Sequence, residues 1–556
     1  MSPSFQNTNL PRRTVLQGSC AAILAAGLPR FANAQTEAAP IVATRQGLVQ
    51  GVTEKGVSRF LGLRYAQPIS GANRFLPPQP VAPWSGVFVA DRHADTAPQG
   101  PEPVSGTPVT PAFAPPDYVK AGEDCLALNI WAPEGAKDLP VMVWLHGGGW
   151  QSGSGSCAIY DGTRLASRGD VVVVTLNHRL GAHGLTDFSR ILGGAWAESA
   201  NLSVKDMVAA LEWVQANIAG FGGDPNTVTI FGESGGGWKV NTLLGVPSAK
   251  GLFHRAIVES GPLTRFHTAE AADEIARKVL AALGISETAP EALNTVTMED
   301  VLAAERKVMA ETPMSFAAPG FPSGFWPVID GRFITRHIYD PDTAESARDV
   351  PLMVGQTGTE FTLFMLQDEA AYTLDAEGLA ARANQMFGPE NAAWLLQSYQ
   401  RDFPALPPAA LWFRLFSDFA MGALSNEILD QRATSGTAPV YAYRFEWMTP
   451  IAGGKLFSPH TMEIPFVFDN VATEAGQVMT GGGTEAEALA KTVSEAWVQF
   501  AKTGTPAAPG LPNWPQYDTT TRAAMHLDRA AKVAPYIDAK AVALFRQMLW
   551  ARAGLN

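Results

Sequence analysis

Short, almost unbroken apolar runs alternate with amphipathic ones through the first half of the chain. "PVMVWL" (Pro140 to Leu145) and "DVVVVTLN" (Asp170 to Asn177) have almost no polar face, the pattern of strands covered on both sides. "NLSVKDMVAALEWVQANIAG" (Asn201 to Gly220) instead places Val204, Met207, Leu211, Val214 and Ile218 at helical spacing, with Ser203 and Asp206 arranged as a capping box. "DPNTVTIF" predicts another strand, followed by a glycine cluster and a helix to about Leu244. Strand, helix, strand, helix predicts an α/β fold: a large, mostly parallel central sheet with helices on both faces. "PLMVGQTG" and "APVYAYRFEW" read as later strands of that sheet. Two tracts, near 268–325 and 373–433, are helical and irregular, as cap insertions would be. No linker-like stretch or internal repeat interrupts residues 35–556, which are read as a single domain carrying these insertions.

The first 34 residues stand apart. Arg12 and Arg13, a short alanine-rich apolar run and Ala32-Asn33-Ala34 describe an export signal of the twin-arginine type, so the mature chain is expected to be periplasmic or secreted. The apolar run is too short to span a bilayer, and no other segment reaches that length. Removing the signal takes away three arginines and no acids, leaving 38 basic against 53 acidic residues and a net charge of −15. Such an acidic chain is a poor partner for nucleic acid or an anionic membrane surface. Of three cysteines, Cys125 and Cys157 would remain, enough for one disulfide at most. No Cys/His cluster has metal-ligand spacing, and neither metal nor cofactor is expected.

The glycine cluster carries the chemistry. Gly232-Glu233-Ser234-Gly235-Gly236 fits G-x-S-x-G between a predicted strand and a predicted helix. There a serine sits on a strained turn with its hydroxyl exposed, and side chains two residues either side would collide with the neighbouring chain. The following helix also aims its first amides at the serine, where negative charge develops. "WLHGGGW" (Trp144 to Trp150) follows another buried strand, and its glycines free the backbone to present amides. Gly148, Gly149 and Gly235 are therefore the candidate oxyanion donors. Trp150 and Trp238 directly follow the two motifs and are candidate walls of an apolar substrate pocket, although aromatics beside a sheet often serve only the core.

In a fold of this kind the remaining partners follow in the order acid, then histidine. His460 and His526 are the histidines far enough beyond Ser234. His460 lies on a loop entering the hydrophobic segment of "LFSPHTMEIPFVFDN", whereas His526, in "AAMHLD", reads as an element after the sheet. Many carboxylates lie between Ser234 and His460. Glu360 is favoured by position, because it follows a strand end, where loops carry function in parallel sheets. His146 is a candidate to orient the oxyanion loop.

These motifs, with "FLGLRYAQPISGANRF", "EDCLALNIW", "NHRLGAHG", "LFHRAIVESG", "WPVIDG" and "WVQFAKTGTP" in the same order, give a chain that resembles the type-B carboxylesterase/lipase family, the cholinesterase-like branch of the α/β-hydrolases. The resemblance covers essentially all of residues 35–556. It implies Ser234 as nucleophile, His460 as general acid/base and Glu360 as orienting acid, with Phe361 standing where the family carries a glycine. It also implies structural ion pairs Arg74–Glu123 and Arg179–Asp206. Ala97 stands where the family's usual disulfide partner of Cys125 would be, and Gly235 stands where alanine is common.

The expected activity is hydrolysis of apolar carboxylic esters through an acyl-enzyme, with a small-molecule ester as the partner. The resemblance associates the three-glycine loop with bulky alcohol groups, including tertiary ones. A lipase acting on longer chains is the near alternative. A non-catalytic binding protein of the same fold is the distant one, disfavoured because the serine, acid and histidine are all present. No cation-binding aromatic set points to a cholinesterase.

Overall fold

Alternate residues of single apolar runs feed two different cores, and this divides the molecule into layers. The computed structural model describes residues 39–100, 105–312 and 321–554. The export signal expected over residues 1–34 lies outside the described residues. Eleven strands among them form one sheet: β1 (Val52–Glu54), β2 (Val57–Arg64), β3 (Ala127–Pro133), β4 (Leu139–Leu145), β5 (Val172–Leu176), β6 (Gly223–Glu233), β7 (Arg255–Glu259), β8 (Leu352–Thr357), β9 (Val440–Phe445), β10 (Ala523–Leu527) and β11 (Lys532–Pro535). Their spatial order is β11-β10-β9-β8-β7-β6-β4-β5-β3-β2-β1. From β10 to β5 every neighbour is parallel. The outer strands on both sides are antiparallel. A separate small sheet joins Ile41–Ala43, Leu48–Gln50 and Val87–Val89.

In β4, Val141, Val143 and Leu145 face one core while Met142 and Trp144 face the other, and β5 divides its valines the same way. A pleated strand sends successive side chains to opposite faces, so only a continuous apolar run fills both layers. One face is covered by α1 (Leu202–Asn217) and α2 (Gly235–Leu244), whose Val214, Val240 and Leu243 join its core. α3 (Ala269–Leu283) and α4 (Met298–Glu311) follow β7; α5 (Ala376–Phe387), α6 (Pro389–Asp402), α7 (Pro408–Ser417) and α8 (Ala423–Ser435) lie between β8 and β9. The other face is covered by α9 (Thr484–Thr503) through Leu489, Val493 and Trp497. No helix among the described residues is long and apolar enough to cross a membrane.

Two local expectations are corrected. Ser203 and Asp206 do not cap α1: the helix starts at Leu202, behind Asn201 in a left-handed conformation. Asp206 instead takes the Nε and Nη2 of Arg179 at 2.8 and 2.6 Å, and the Arg179 amide at 3.0 Å. A fully buried guanidinium needs that carboxylate more than a helix end needs a cap. His526 belongs to the sheet, in β10, where it contacts Glu446 and the Pro535 carbonyl. The run "AAMHL" lacks the β-branched residues that mark the central strands. Arg74 and Glu123 do pair, at 2.6 Å, and Arg179 also donates to the Leu76 carbonyl at 2.7 Å. Cys125 and Cys157 are both buried and do not bond each other, and the Cys157 thiol donates to the Phe113 carbonyl at 2.9 Å.

β7 ends on Glu259, a carboxyl wholly inside the protein that accepts the Trp497 indole N–H at 2.7 Å. Burial pushes its pKa up to about 8. Such a proton is bound more tightly in the folded chain, so this stabilisation is complete below pH 4.5 and is lost as pH rises towards 8. Glu259→Gln is expected to flatten the fall in unfolding free energy between pH 5 and pH 8, read from urea denaturation, by on the order of 3–5 kcal/mol. A slope equal to the parent's would count against a neutral Glu259. Asp206→Asn should lower stability by about 3–5 kcal/mol, because it leaves the Arg179 charge buried without a counterion. The paired Arg179→Met/Asp206→Leu change should cost less in the same denaturation experiment.

Candidate active site

Strand register brings the catalytic candidates to one end of the sheet. Leu145, the last residue of β4, pairs with Gly232 near the end of β6, and Gly355 in β8 pairs with Glu259 at the end of β7. The loops after β4, β6, β7 and β8 therefore leave from the same carboxyl edge, where parallel sheets place their ligand sites.

Ser234 is the single residue between β6 and α2, with φ 58° and ψ −123°, a conformation that L-residues rarely adopt. The turn is held by the Ser234 amide on the Glu259 carbonyl (2.9 Å) and by the Trp238 amide on the Ser234 carbonyl (3.1 Å). Gly232 and Gly236 make the turn possible. A Cβ on Gly236 would lie 2.0 Å from the Leu145 carbonyl oxygen, and one on Gly232 would lie 2.5 Å from the same atom. Both distances are impossible for carbon, so strand and helix meet only without side chains.

The loop after β4 reaches this turn. Gly148 and Gly149 have φ +85° and +61°, and a Cβ on Gly235 would fall 2.4 Å from the Gly149 amide nitrogen. The three candidate oxyanion donors are thus neighbours in space. Trp238 is buried against Trp326, ring centroids 4.8 Å apart. Trp150 is turned fully inward, edge-on to His178, and exposes no surface.

His460 lies on the loop after β9, buried, with its ring against Phe364. Its Nδ1 is 2.5 Å from Glu360 Oε2. The other Glu360 oxygen accepts the Ser260 hydroxyl and the Thr357 amide, both at 2.7 Å. With Nδ1 donating to Glu360 Oε2, Nε2 is the acceptor nitrogen of the neutral ring. Phe361, which replaces the family glycine, is buried against the Phe416 ring and leaves Glu360 on the first turn of a short helix.

Sequence reasoning missed the acids around this pair. Glu233, the variable residue of the serine motif, puts Oε1 3.3 Å from His460 Nε2. Glu463 meets the Ser260 hydroxyl at 3.0 Å and the Tyr443 hydroxyl at 3.3 Å. Burial, then the neighbouring carboxylates, hold both Glu233 and Glu463 well above the usual carboxylate range. The available signal was an acid at the end of an otherwise apolar strand, as in "IFGE" and "AIVE", which periodicity scores only as a break.

This arrangement has close counterparts. Residues 38–545 match the profile of the carboxylesterase family. The chain is 36% identical over 494 residues to para-nitrobenzyl esterase of Bacillus subtilis (strain 168), covering 88% of this chain and 94% of that protein. It is 32% identical over 501 residues to phenmedipham hydrolase of Pseudarthrobacter oxydans, covering 89% and 96%. A solved PNB esterase structure superposes with a TM-score of 0.77 at 33% identity, over 91% of this chain and 99% of that one. With this sheet, this serine turn and these relatives, the chain belongs to the carboxylesterase family and is a carboxylic ester hydrolase.

Proposed function

We infer that Ser234, His460 and Glu360 are the catalytic triad and that the amides of Gly148, Gly149 and Gly235 form the oxyanion hole. The observation that carries this reading is the 2.5 Å contact between His460 Nδ1 and Glu360 Oε2, on loops from the same sheet end as the strained Ser234 turn. Ser234 Oγ attacks the ester carbonyl carbon while His460 Nε2 takes its proton. Glu360 orients the imidazole and stabilises the imidazolium. The oxyanion accepts hydrogen bonds from the three amides, each amide worth roughly 3–4 kcal/mol of transition-state stabilisation. The imidazolium then protonates the departing alcohol, and water, activated by the same nitrogen, hydrolyses the acyl-enzyme to the acid.

Substrates are apolar esters of modest size, a reading supported by the Trp238–Trp326 pair beside Gly235. Export to the periplasm or medium is supported by Arg12, Arg13 and the Ala32-Asn33-Ala34 end of the leader. Helices α3–α8 are the insertions that would cap the site.

Hydrolysis of p-nitrophenyl acetate, butyrate and palmitate tests the reading. The short esters should turn over fastest, and Ser234→Ala should lower kcat by about 10⁴-fold or more. A parent-like alanine variant would remove Ser234 as nucleophile, and a rate jump above the solubility limit of tributyrin would favour the lipase alternative. Two carboxyls flank His460, and isosteric amides tell them apart. Glu360→Gln should lower kcat by about 10⁴-fold, because the wrong imidazole tautomer is then favoured. Glu233→Gln replaces a group that burial already keeps neutral and should stay within about tenfold. The opposite ranking in steady-state assays would move the acid role to Glu233.

A further inference from the structure

Lys239 is a lysine with no exposed side chain, one and a half turns after Ser234 on α2. Burying an ammonium is costly unless its donors are met. Here its Nζ donates to the His146 carbonyl at 2.6 Å and lies 3.5 Å from the Gly147 carbonyl oxygen. It also sits 5.9 Å from the centre of the Trp150 ring. His146 and Gly147 immediately precede Gly148 and Gly149, and Trp150 immediately follows them. One side chain thus grips the oxyanion loop at both ends.

The geometry of the peptide unit makes this grip directional. The Gly147 carbonyl and the Gly148 N–H belong to one planar trans unit and point in opposite directions. Whatever holds the carbonyl on one side aims the amide to the other. The Gly147 carbonyl also lies 2.8 Å from His146 Nδ1, and because a carbonyl only accepts, that nitrogen carries the ring proton. Burial, then the Lys239 charge, holds His146 well below the usual histidine range, so the ring stays neutral and keeps that tautomer. Its stacking on His178, centroids 5.0 Å apart, fixes the ring plane. A cation beside these carbonyls further polarises their peptide units, which strengthens the amides on the far side.

We propose that Lys239 is a positioning residue for ester hydrolysis: its ammonium clamps the His146–Gly147 backbone and so aims and polarises the Gly148 amide of the oxyanion hole. This rests on the reading that the Gly148, Gly149 and Gly235 amides form that hole. The nucleophile turn and the oxyanion loop are then coupled through one helix, because Ser234 immediately precedes α2 and Lys239 reaches back from it.

The test compares p-nitrophenyl butyrate with its thiono analogue, whose sulfur accepts hydrogen bonds weakly, in the parent and in Lys239→Met. The parent should prefer the oxygen ester by about 10²–10³-fold in kcat/KM, the scale of lost oxyanion donors. Lys239→Met should lower kcat for the oxygen ester by about 10–100-fold with KM within threefold, and shrink the oxygen-to-sulfur preference in parallel. A parent with no preference overturns the oxyanion reading itself. A parent with the preference, and a folded Lys239→Met that keeps both kcat and preference, overturns the role of Lys239 alone. If the methionine variant does not fold, Lys239→Gln, whose shorter amide cannot reach both carbonyls, takes its place. An unchanged preference there overturns the proposal equally.

Discussion

The Leu145 carbonyl oxygen is the point on which the site depends. It is enclosed by Gly232 at the end of β6 and Gly236 at the start of α2, with room for neither Cβ. This contact fixes how closely the serine turn approaches the loop leaving β4, and so fixes Ser234 relative to Gly148 and Gly149. The glycines that permit it carry an entropic cost in the unfolded chain. The strain at Ser234 adds roughly 1–3 kcal/mol. Both are offset by the two-sided burial of β4, β6 and their neighbours, whose fully buried apolar side chains fill one core or the other. The site is strained where it reacts because the sheet beneath it is not.

Electrostatics at the same end of the sheet is set first by burial and then by neighbouring carboxyl groups. Four glutamates, at 233, 259, 360 and 463, lie in one dry region where they cannot all ionise. Burial raises Glu233, Glu259 and Glu463. A backbone amide, a hydroxyl and an imidazole N–H all point at the oxygens of Glu360. Ser260 links Glu360 to Glu463, because its hydroxyl lies 2.7 Å from the first and 3.0 Å from the second. These donors reach Glu360 from the end of β8, the residue after β7 and the long loop after β9, and their convergence has no counterpart in the spacing of the acids along the chain.

That difference explains what could be read from the sequence. The central strands were legible because two-sided burial demands continuous apolar runs, and the serine and oxyanion loops because close backbone contact demands glycine at fixed offsets. β10 was not legible, since a short strand near the sheet edge needs only one or two apolar residues. The capping pattern at Ser203 and Asp206 misled because Arg179, distant in sequence, had the stronger claim on the carboxylate. Lys239 and Glu233 were missed for a related reason. A single buried charge is defined by the atoms it meets, and the Lys239 partners at His146 and Gly147 lie more than ninety positions away.

The candidate site residues and Trp326, in the aromatic pair beside them, come from different parts of the chain. Every candidate triad or oxyanion residue sits within four residues of a strand of the parallel core, with the exception of His460 on its long loop after β9. Trp238, by contrast, rests on Trp326, which comes from the connection between β7 and β8 that also holds α3 and α4. That connection lies outside the register that joins β4 to β6 and β7 to β8. Connections laid over a rigid sheet can vary in sequence and length while the backbone arrangement beneath them stays fixed.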